Sequence, residues 1–357
     1  MMRVGIVGGG FAGLAAAIMF LRSGHEVRLF EKASGPAPTG GAISLATNAL
    51  TCLSILGVRE HVVTEPWSHT AAAVRTPTGR VLVRRTLSEL TGGVQYAAVP
   101  RRQLLGWLAE RVPQECLQYN SAVNHVRADG VLTVGRTAQH FDLVVAADGV
   151  RGVCRASLWP EAPPVRSTGI RGWSWIAEDM LSTGFGPIWG RTTDFGVLPL
   201  HDGRTYVYGG TSRLGARLSD YRSWPDPLPG LIEVAQSSHV STPEIFEARP
   251  PRHLARGRVV LIGDAAHPMR PTFGQGAALA MEDAITLARE GVAGLSIRRT
   301  RLLALYAASK AGSYFATPRL RAAEAARNMS LTLMPDPLFS SMAGSLSHWR
   351  GRSSYAD

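Results

Sequence analysis

Four short apolar runs, in which hydrophobic and polar residues do not alternate, predict the strands of a buried sheet. Each run ends in a glycine, an acidic residue or both. The runs are Val4 to Val7, Val27 to Phe30, Leu143 to Ala147 and Val259 to Ile262. Strands covered by helices on both faces have this pattern, and such sheets are mostly parallel. Helical patterns cover Phe11 to Ser23, Ala277 to Glu290 and Arg298 to Asn328. We therefore predict an α/β fold with C-terminal helices.

The middle of the chain has a different pattern. In residues 165–215, small, aromatic and polar residues alternate, as in GIRGWSWIAE and RTYVYGGTS, which is typical of antiparallel strands with one exposed face. Residues 71–95 resemble a further hairpin of the same sheet. The chain is thus predicted to form two discontinuous domains. The larger comprises residues 1–70, 96–164 and 252–357, and the inserted, mainly antiparallel β-sheet domain comprises residues 71–95 and 165–251.

Composition excludes several classes of protein. Of the 357 residues, 45% are hydrophobic and 18% charged, which is enough apolar material for a large core. The net charge is +11, but the arginines are spread from Arg3 to Arg352 and form no stripe, so we expect no nucleic-acid partner. The isolated cysteines Cys52, Cys116 and Cys154 suit a reducing cytoplasm better than a disulfide framework. We expect no metal site and no membrane span.

The first chemical motif is the N-terminal turn Gly8-Gly9-Gly10-Phe11-Ala12-Gly13, a G-x-G-x-x-G sequence between a strand and a helix. Gly8 permits a tight turn, Gly10 lets the backbone approach a pyrophosphate, and Gly13 lets the helix pack on the strand. The pyrophosphate is expected at the helix N-terminus, with Glu31 accepting hydrogen bonds from the adenosine ribose. The motif predicts a Rossmann-like domain that binds FAD or NAD.

A second motif, RVVLIGDAAHPMRPTFGQGAALAMEDA at residues 258–284, distinguishes between the two cofactors. A buried strand ends at Gly263-Asp264, and a helix begins near Gly276 after a loop rich in Pro and Gly. An aspartate at the carboxyl end of a strand lies in the ligand crevice, where it can hold a polyol hydroxyl. The N-terminus of the next helix suits a group that becomes negative on reduction, as a flavin does. His267 is expected to be structural, satisfying backbone groups of the loop, and not to act as a general base.

These residues resemble the class A, single-component FAD-dependent aromatic monooxygenases, in the branch with salicylate hydroxylase, urate hydroxylase and zeaxanthin epoxidase. The resemblance covers nearly the whole chain. It rests on the two motifs above and on the segment AADGVRGVCR with Asp148-Gly149. The segment VPRRQLLGWL also resembles the family's Arg-x-x-Leu stretch. One departure is that the family usually has serine where Gly152 stands.

The resemblance implies a Rossmann-like FAD-binding domain, with FAD as cofactor and NADH or NADPH as transient reductant. It places Asp264 on the ribitol, Arg101 near the pyrophosphate and the Gly40-Gly41-Ala42-Ile43 loop beside the flavin ring. Asp148 and Gly149 would serve the flavin and, indirectly, the nicotinamide donor. The cofactor-binding residues so assigned are Gly8, Gly10, Phe11, Ala12, Gly13, Glu31, Lys32, Gly41, Arg101, Gln103, Asp148, Gly149, Asp264, Pro271, Gly274, Gln275, Gly276 and Ala277.

The reaction that the resemblance implies is hydroxylation of an aromatic or polycyclic small molecule, with O2 as co-substrate, through a flavin C4a-hydroperoxide. Epoxidation or Baeyer-Villiger oxygenation by the same flavin chemistry is an alternative, as is non-catalytic FAD binding. Halogenation is disfavoured because Trp173 to Ala177 departs from the WxWxIP segment of flavin halogenases. We expect a monomer or a homodimer.

Residues 159–224 hold ten of the 26 aromatic residues, which favours an aromatic substrate pocket, although aromatic residues also suit strands. Arg171, Tyr206 and Tyr208 are the candidates for substrate contact, and the loop residue His201 is a candidate base. No catalytic residue is assigned beyond these candidates. Urate-type members, as the resemblance suggests, carry an arginine upstream of the tyrosine of this strand. Asp194 takes that place here, which argues against urate as substrate.

Overall fold

The computed structural model describes residues 1–35, 41–62, 70–90, 96–178 and 184–334. The strands are β1 (Arg3–Val7), β2 (Glu26–Phe30), β3 (Ala42–Ala46), β4 (Ala71–Arg75), β5 (Val81–Thr86), β6 (Tyr96–Pro100), β7 (Leu117–Gln118), β8 (Val123–Val126), β9 (Val131–Val134), β10 (Thr137–His140), β11 (Leu143–Ala146), β12 (Arg166–Ala177), β13 (Gly186–Trp189), β14 (Thr193–Pro199), β15 (Thr205–Thr211), β16 (Glu244–Glu247), β17 (Ala255–Arg256) and β18 (Val259–Leu261). The helices are α1 (Phe11–Arg22), α2 (Thr47–Leu56), α3 (Leu87–Leu90), α4 (Arg101–Ala109), α5 (Val153–Leu158), α6 (Leu228–Val234), α7 (Gly276–Ala316) and α8 (Arg321–Leu333).

A six-stranded sheet in the order β17-β18-β11-β1-β2-β7 forms the centre of the larger core. Five of its strands run parallel, and β17 pairs antiparallel with β18 at one edge. The four apolar runs are β1, β2, β11 and β18, as predicted. Their inner residues are buried because α1 packs on one face of the sheet and α7 packs on α1. On the other face, where helices were also expected, Gly5 of β1 lies against Leu132 of β9, in the three-stranded sheet β10-β9-β8. The Rossmann-like α/β class is confirmed.

A seven-stranded sheet in the order β16-β12-β15-β14-β13-β4-β5 forms the second part of the molecule. The strands of the predicted antiparallel segment, β12 to β15, pair as expected. The hairpin of β4 and β5 joins the same sheet through a parallel contact with β13. The division of the chain into domains at the stated boundaries stays a prediction.

The two faces of this second sheet differ in character. One face packs an aromatic core, in which the Trp173 and Phe195 rings stack at 5.7 Å and Tyr221 and Trp224 pack edge-on against Phe195. The other face meets the two-stranded sheet of β3 and β6. Most of the aromatic residues that suggested a pocket are therefore core residues, and only a few face the larger core.

The C-terminal helices correct one prediction. The single helical stretch expected from Arg298 to Asn328 is wrong, because α7 ends at Ala316 and α8 begins at Arg321, with Pro318 between them. Gly291, where the preceding helix was expected to stop, is a non-helical point inside α7, with φ 65° and ψ −161°. Within the described ranges, no helix combines the length and apolarity needed to cross a membrane.

Candidate functional site

The three sequence motifs meet at one edge of the six-stranded sheet. Gly8 follows β1, Glu31 follows β2, Asp148 lies two residues after β11, and Gly263 follows β18. Because these four strands are parallel neighbours, their carboxyl ends lie side by side. The Gly8 N–H donates to the Phe30 carbonyl at 2.8 Å, which joins the first two strand ends. This edge is the ligand crevice expected of such a sheet.

The glycines of the first motif have different structural reasons. Gly8 has φ 104°, and a Cβ on Gly13 would lie 1.8 Å from the Gly8 carbonyl oxygen, so both positions are dictated by the protein itself. A Cβ on Gly10 would meet nothing within 4 Å. Gly10 is also the N-cap of α1, and no side chain caps this helix. The next residues, Phe11 and Ala12, are buried, and the first turn of α1 contains no acidic residue. The space beside Gly10 is therefore a cradle for an anionic ligand group.

Glu31 holds the turn in place. Its Oε2 accepts a hydrogen bond from the Gly9 N–H at 2.6 Å, and its Oε1 accepts one from the Ala33 N–H at 2.8 Å. The carboxylate is half-buried, whereas the next side chain, Lys32, is exposed. Each carboxylate oxygen has a further lone pair, so Glu31 can still accept hydrogen bonds from ribose hydroxyls.

The loop after β18 brings a second helix N-terminus to the same crevice. A Cβ on Gly263 would lie 3.0 Å from the Ala12 Cβ and 3.2 Å from the Ala280 Cβ, so α1, this loop and α7 are in close contact. Asp264 is exposed beside them. A Cβ on Gly276 would meet nothing within 4 Å, and α7 has no acidic residue in its first turn. This start of α7 thus repeats the open geometry found at Gly10.

Arg101 extends the crevice towards the second sheet. The Arg101 guanidinium lies 4.9 Å from the centre of the Phe11 ring. The backbone N–H of Arg101 donates to the Gly41 carbonyl at 3.1 Å. Desolvation in the crevice lowers the pKa of Arg101, and the nearby Asp264 carboxylate and Tyr206 phenol oppose that change. The structure therefore brings Arg101, Asp264 and Gly41 together, as the sequence predicted. Gly40 lies outside the described residues.

Two predicted cofactor residues have other surroundings. Gln103 is exposed on α4, about 200° around the helix from Arg101, so it is not brought to the crevice. The Gln275 side chain is buried and accepts a hydrogen bond from Asn48 Nδ2 at 2.8 Å. Gln275 thus ties the start of α7 to α2, and its side chain does not cap α7.

The rest of the loop has an exposed rim. Pro271 is exposed in a short 3-10 turn, and Gly274 follows with φ 63°. A Cβ on Gly274 would lie 2.2 Å from Ser44 Oγ, so the loop is in contact with β3. Ala277 is half-buried in the first turn of α7. These positions agree with a surface for a flat ring between the loop and the second sheet.

A buried charged cluster behind this loop was not predicted. His267 Nε2 lies 2.5 Å from Asp283 Oδ2, and the same oxygen accepts the Gly263 N–H at 3.1 Å. Arg298 bonds to Asp283 at 3.1 Å and to Glu282 at 2.8 Å. His267 is structural, as predicted, but its partner is a carboxylate. The adjacent acidic residues Glu282 and Asp283 in the EDA sequence were the signal from which this cluster could have been predicted.

Arg155 also fixes the loop, and sequence reasoning missed it. Its buried guanidinium donates to the carbonyl oxygen of Ala266 at 2.7 Å and to that of Pro163 at 2.9 Å. It also reaches the Arg249 carbonyl at 3.2 Å. Arg155, the last residue of the AADGVRGVCR segment, thus joins that segment to the loop after β18.

The Asp148 side chain explains why glycine, and not the family's usual serine, stands at position 152. A Cβ on Gly152 would lie 2.0 Å from the Asp148 Cγ, so the carboxylate takes the space that a serine side chain would need. Asp148 Oδ2 accepts the Cys154 N–H at 2.9 Å, and burial raises the pKa of Asp148. Its Oδ1 is buried and has no hydrogen-bond partner among the described residues. Gly149 beside it has φ 78° and open space around its Cα.

The second sheet turns what we call the tyrosine face towards this crevice. Register places its members on one side of β12, β14 and β15; they are Ser174, Asp194, Gly196, Tyr206, Tyr208 and Gly210. The Tyr206 and Tyr208 rings lie 5.6 Å apart. The Gly41 N–H donates to Ser174 Oγ at 3.3 Å, which ties the face to the crevice. Desolvation raises the pKa of both tyrosines, so their phenols stay protonated at neutral pH.

The other two substrate candidates lie elsewhere. Arg171 is exposed on the opposite face of β12, the side of Trp173 and Trp175, so it is not brought together with Tyr206 and Tyr208. His201 lies in the hairpin turn after β14, at the far end of the strand from Asp194. In the described part of the chain, no group of His, Cys, Asp and Glu side chains could hold a metal ion.

Comparison with known proteins agrees with this geometry. A family model described as FAD binding domain matches residues 1–180 and 234–311. Aurachin C monooxygenase/isomerase of Stigmatella aurantiaca is 34% identical over 307 residues, covering 81% of this chain and 80% of that protein. 2-heptyl-3-hydroxy-4(1H)-quinolone synthase of Pseudomonas aeruginosa is 33% identical over 315 residues, with coverage of 81% and 80%. HpxO of Klebsiella pneumoniae, complexed with FAD and uric acid, has a similar fold, with a TM-score of 0.84 at 22% identity and coverage of 97% and 96%.

Proposed function

The chain belongs to the FAD binding domain family and is a FAD-dependent monooxygenase, and we propose that its substrate lies between the flavin and the tyrosine face. The family predicted from the motifs is confirmed. The reductant is NADH or NADPH, and O2 supplies the inserted oxygen. One observation carries the proposal. The N-termini of α1 and α7 have no side-chain cap, a glycine leaves free space at each of them, and Arg101 lies between this crevice and Tyr206 of the tyrosine face.

The residues of the crevice fit FAD. We assign the pyrophosphate to the space beside Gly10, the adenosine ribose to Glu31, and the ribitol to Asp264. The unpartnered Oδ1 of Asp148 supports a ligand here, because a buried acceptor without a donor is costly. The chemistry that FAD would supply when these residues hold it is electron transfer from NADH or NADPH to O2, by which one oxygen atom would enter the substrate and the other would leave as water.

The chain's own residues provide binding, orientation and charge. The N-terminus of α7 stabilises negative charge on a ring placed at Gly276, by about 0.3 to 1 kcal/mol and up to about 2 kcal/mol when partly buried. Tyr206 and Tyr208 offer adjacent aromatic surfaces that orient a flat substrate. Their protonated phenols are hydrogen-bond donors for a substrate oxygen. Arg171 and His201 are not part of this assignment.

The substrate class follows from the same face. Aromatic side chains with few charges suit an aromatic or polycyclic small molecule. Two relatives support this, since one is named for aurachin C and another for a 4(1H)-quinolone. Within this class we propose hydroxylation as the reaction.

The test begins with the visible absorption spectrum of the purified protein. We expect a bound flavin, and we expect phenols or quinolones to accelerate NADH or NADPH oxidation in air. Asp264→Ala and Glu31→Ala should each weaken FAD binding about tenfold or more, which is about 1.4 kcal/mol. Glu233→Gln removes an exposed carboxylate on α6 and serves as the control.

The contrary results are equally clear. A colourless protein that FAD cannot reconstitute would contradict the cofactor assignment. Unchanged FAD dissociation constants in both variants would contradict the placement of the cofactor. A flavoprotein that oxidises neither NADH nor NADPH in the presence of any aromatic compound tested would contradict the assignment as a monooxygenase.

We also propose that the enzyme acts as a monomer or homodimer in the cytoplasm. The three cysteines are free, which suits a reducing compartment. Light scattering during gel filtration measures the mass, and a tetramer or larger assembly would contradict the proposal. Fractionation of the source cells tests the compartment.

A further inference from the structure

The tyrosine face carries one acidic side chain, Asp194 on β14. In the strand register Asp194 lies opposite Gly210 on β15 and Trp189 on β13, and Tyr208 is two residues along from Gly210. A Cβ on Gly210 would lie 3.4 Å from Asp194 Oδ1. A Cβ on Gly196 would lie 2.1 Å from Tyr208 Cζ, so the Tyr208 ring covers Gly196, and the half-buried Asp194 carboxylate lies near that ring.

No other side chain of the described residues forms an ion pair or a hydrogen bond with Asp194. Its hydrogen-bond partner is its own backbone N–H. Asp194 is nevertheless half-buried, and desolvation raises its pKa to about 7. A desolvated carboxylate with no partner is costly, so a structural role does not account for it. A donor supplied by a ligand would.

The two ends of the tyrosine face have opposite charges. Arg101 lies near Tyr206, and Asp194 lies near Tyr208, whose pKa the Asp194 charge helps to raise. The tyrosine rings are 5.6 Å apart, so a bicyclic molecule resting on both can reach the Asp194 end. The cationic end is shared with the flavin crevice, whereas the acidic end is free for the substrate.

We propose that Asp194 determines substrate choice: its carboxylate accepts a hydrogen bond from a ring N–H or O–H of a neutral aromatic substrate and disfavours aromatic anions. This inference rests on the proposed function, because it needs the substrate to lie on the tyrosine face. Above the raised pKa of about 7, where Asp194 is ionised, the contact would be a charge-assisted hydrogen bond, which is stronger than a neutral one, and the binding test is made at such a pH. An anionic ring substituent placed there would meet like charge in a partly desolvated site.

The test uses the FAD-loaded enzyme and three bicyclic probes of similar size. 4(1H)-quinolone has a ring N–H, 1-methyl-4-quinolone lacks it, and quinoline-4-carboxylate is an anion. Binding is followed by the change in flavin absorbance, without reductant, so turnover plays no part. We expect 4(1H)-quinolone to bind the wild type about tenfold or more tightly than either other probe.

Three variants locate the effect. Asp194→Ala should reduce the discrimination among the probes to less than about threefold, and Asp194→Asn should retain part of the N–H preference while losing the rejection of the anion. Asp194→Arg should favour quinoline-4-carboxylate. Glu233→Gln, on the surface of α6, should leave all three dissociation constants unchanged. FAD content is measured in each variant and should equal that of the wild type.

Three results would overturn the inference while leaving the assignment as a monooxygenase in place. The first is equal binding of all three probes by the wild type. The second is binding of none of them and of neither indole nor 2-naphthol at millimolar concentration. The third is an Asp194→Ala enzyme that keeps the full discrimination. Loss of the flavin itself, or of NADH and NADPH oxidation, would instead point to the proposed function as the error.

Discussion

At the scale of single residues, the glycines separate what the fold requires from what a ligand requires. Gly13 contacts the Gly8 carbonyl so closely that any side chain would break the turn. Gly10 and Gly276 face open space, and nothing in the protein forbids a side chain there. Because these two glycines also begin helices at the ligand crevice, they leave room for a molecule that approaches the backbone.

This distinction gives the first prediction. Gly10→Val should fold normally, because its Cβ meets no protein atom within 4 Å, but it should weaken FAD binding about tenfold or more by filling the pyrophosphate space. FAD titration of the apoprotein measures the dissociation constant, and thermal unfolding of the apoprotein checks the fold. Gly106→Val, at another open glycine on α4, is the matched control and should leave FAD binding unchanged.

The second prediction concerns Asp283. Its carboxylate serves His267, Arg298 and the Gly263 N–H at once, and all of these groups are buried. Asp283→Asn should therefore destabilise the fold by about 3 to 5 kcal/mol, because it leaves buried charges without their counter-charge. Urea unfolding measures the loss. Glu290→Gln on the exposed side of α7 should change stability by less than about 0.5 kcal/mol, and an equal loss in both variants would contradict the argument.

At the scale of elements, the loop between β18 and α7 is held from behind by ionised groups. Burial alone would lower the pKa of His267, but the Asp283 carboxylate outweighs it, so the pKa is raised. For Asp283, burial acts to raise the pKa, but the charges of His267 and Arg298 outweigh it, so the pKa is lowered. Folding thus favours a protonated His267 beside an ionised Asp283.

The third prediction is the pH dependence of that stabilisation. Because the folded pKa of His267 is raised, its contribution is complete below about pH 6.5 and is lost as the pH rises through the folded pKa. Because the folded pKa of Asp283 is lowered, its contribution is present above about pH 3.9 and is lost as the pH falls. The difference in unfolding free energy between wild type and His267→Gln should be largest near pH 5 and smaller at pH 8. A difference that grows from pH 5 to pH 8 would contradict it.

The elements that sequence predicts well are those whose pattern has one explanation. The run Val4 to Val7 is an apolar strand because both of its faces are buried. Ile6 lies against α1, and a Cβ on Gly5 would lie 3.0 Å from Leu132 Cδ1 of β9, so the second face is covered by a strand and not by the expected helix. The stretch Arg298 to Asn328 is rich in helix formers throughout, and only Pro318 indicates where α7 and α8 separate. The β3 and β6 pair escapes sequence reasoning, because its two short strands lie far apart in the chain and pair only in the folded protein.

At the scale of the whole molecule, the site depends on distances that no sequence pattern contains. Gly8, Glu31 and Asp264 could be predicted because each follows a strand of one parallel sheet, and that topology fixes their neighbourhood. Asp194 could only be noted as a position without arginine. Its lack of a side-chain partner follows from the strand register, which sets Gly210, a residue without a side chain, opposite it on β15. Such contacts join segments that are remote in the chain.

The last prediction tests how the two parts of the molecule meet. A Cβ on Gly41 would lie 2.5 Å from Tyr206 Cε2 and 3.0 Å from Ser174 Cβ, at the contact between the flavin crevice and the tyrosine face. Gly41→Ala should displace Tyr206 while leaving the Gly8 turn untouched. We expect substrate-stimulated oxidation of NADH or NADPH, measured at saturating FAD, to fall about 10- to 100-fold.

A double-mutant cycle identifies the cause of that loss. Tyr206→Leu removes the ring atom that the new methyl group would strike, at the cost of its own defect in substrate orientation. If displacement of Tyr206 is the reason, adding Gly41→Ala to Tyr206→Leu should lower the rate little further. If the two losses simply multiply, Gly41 acts through some other contact, and the alignment of the two sheets does not depend on the space that this glycine leaves for Tyr206.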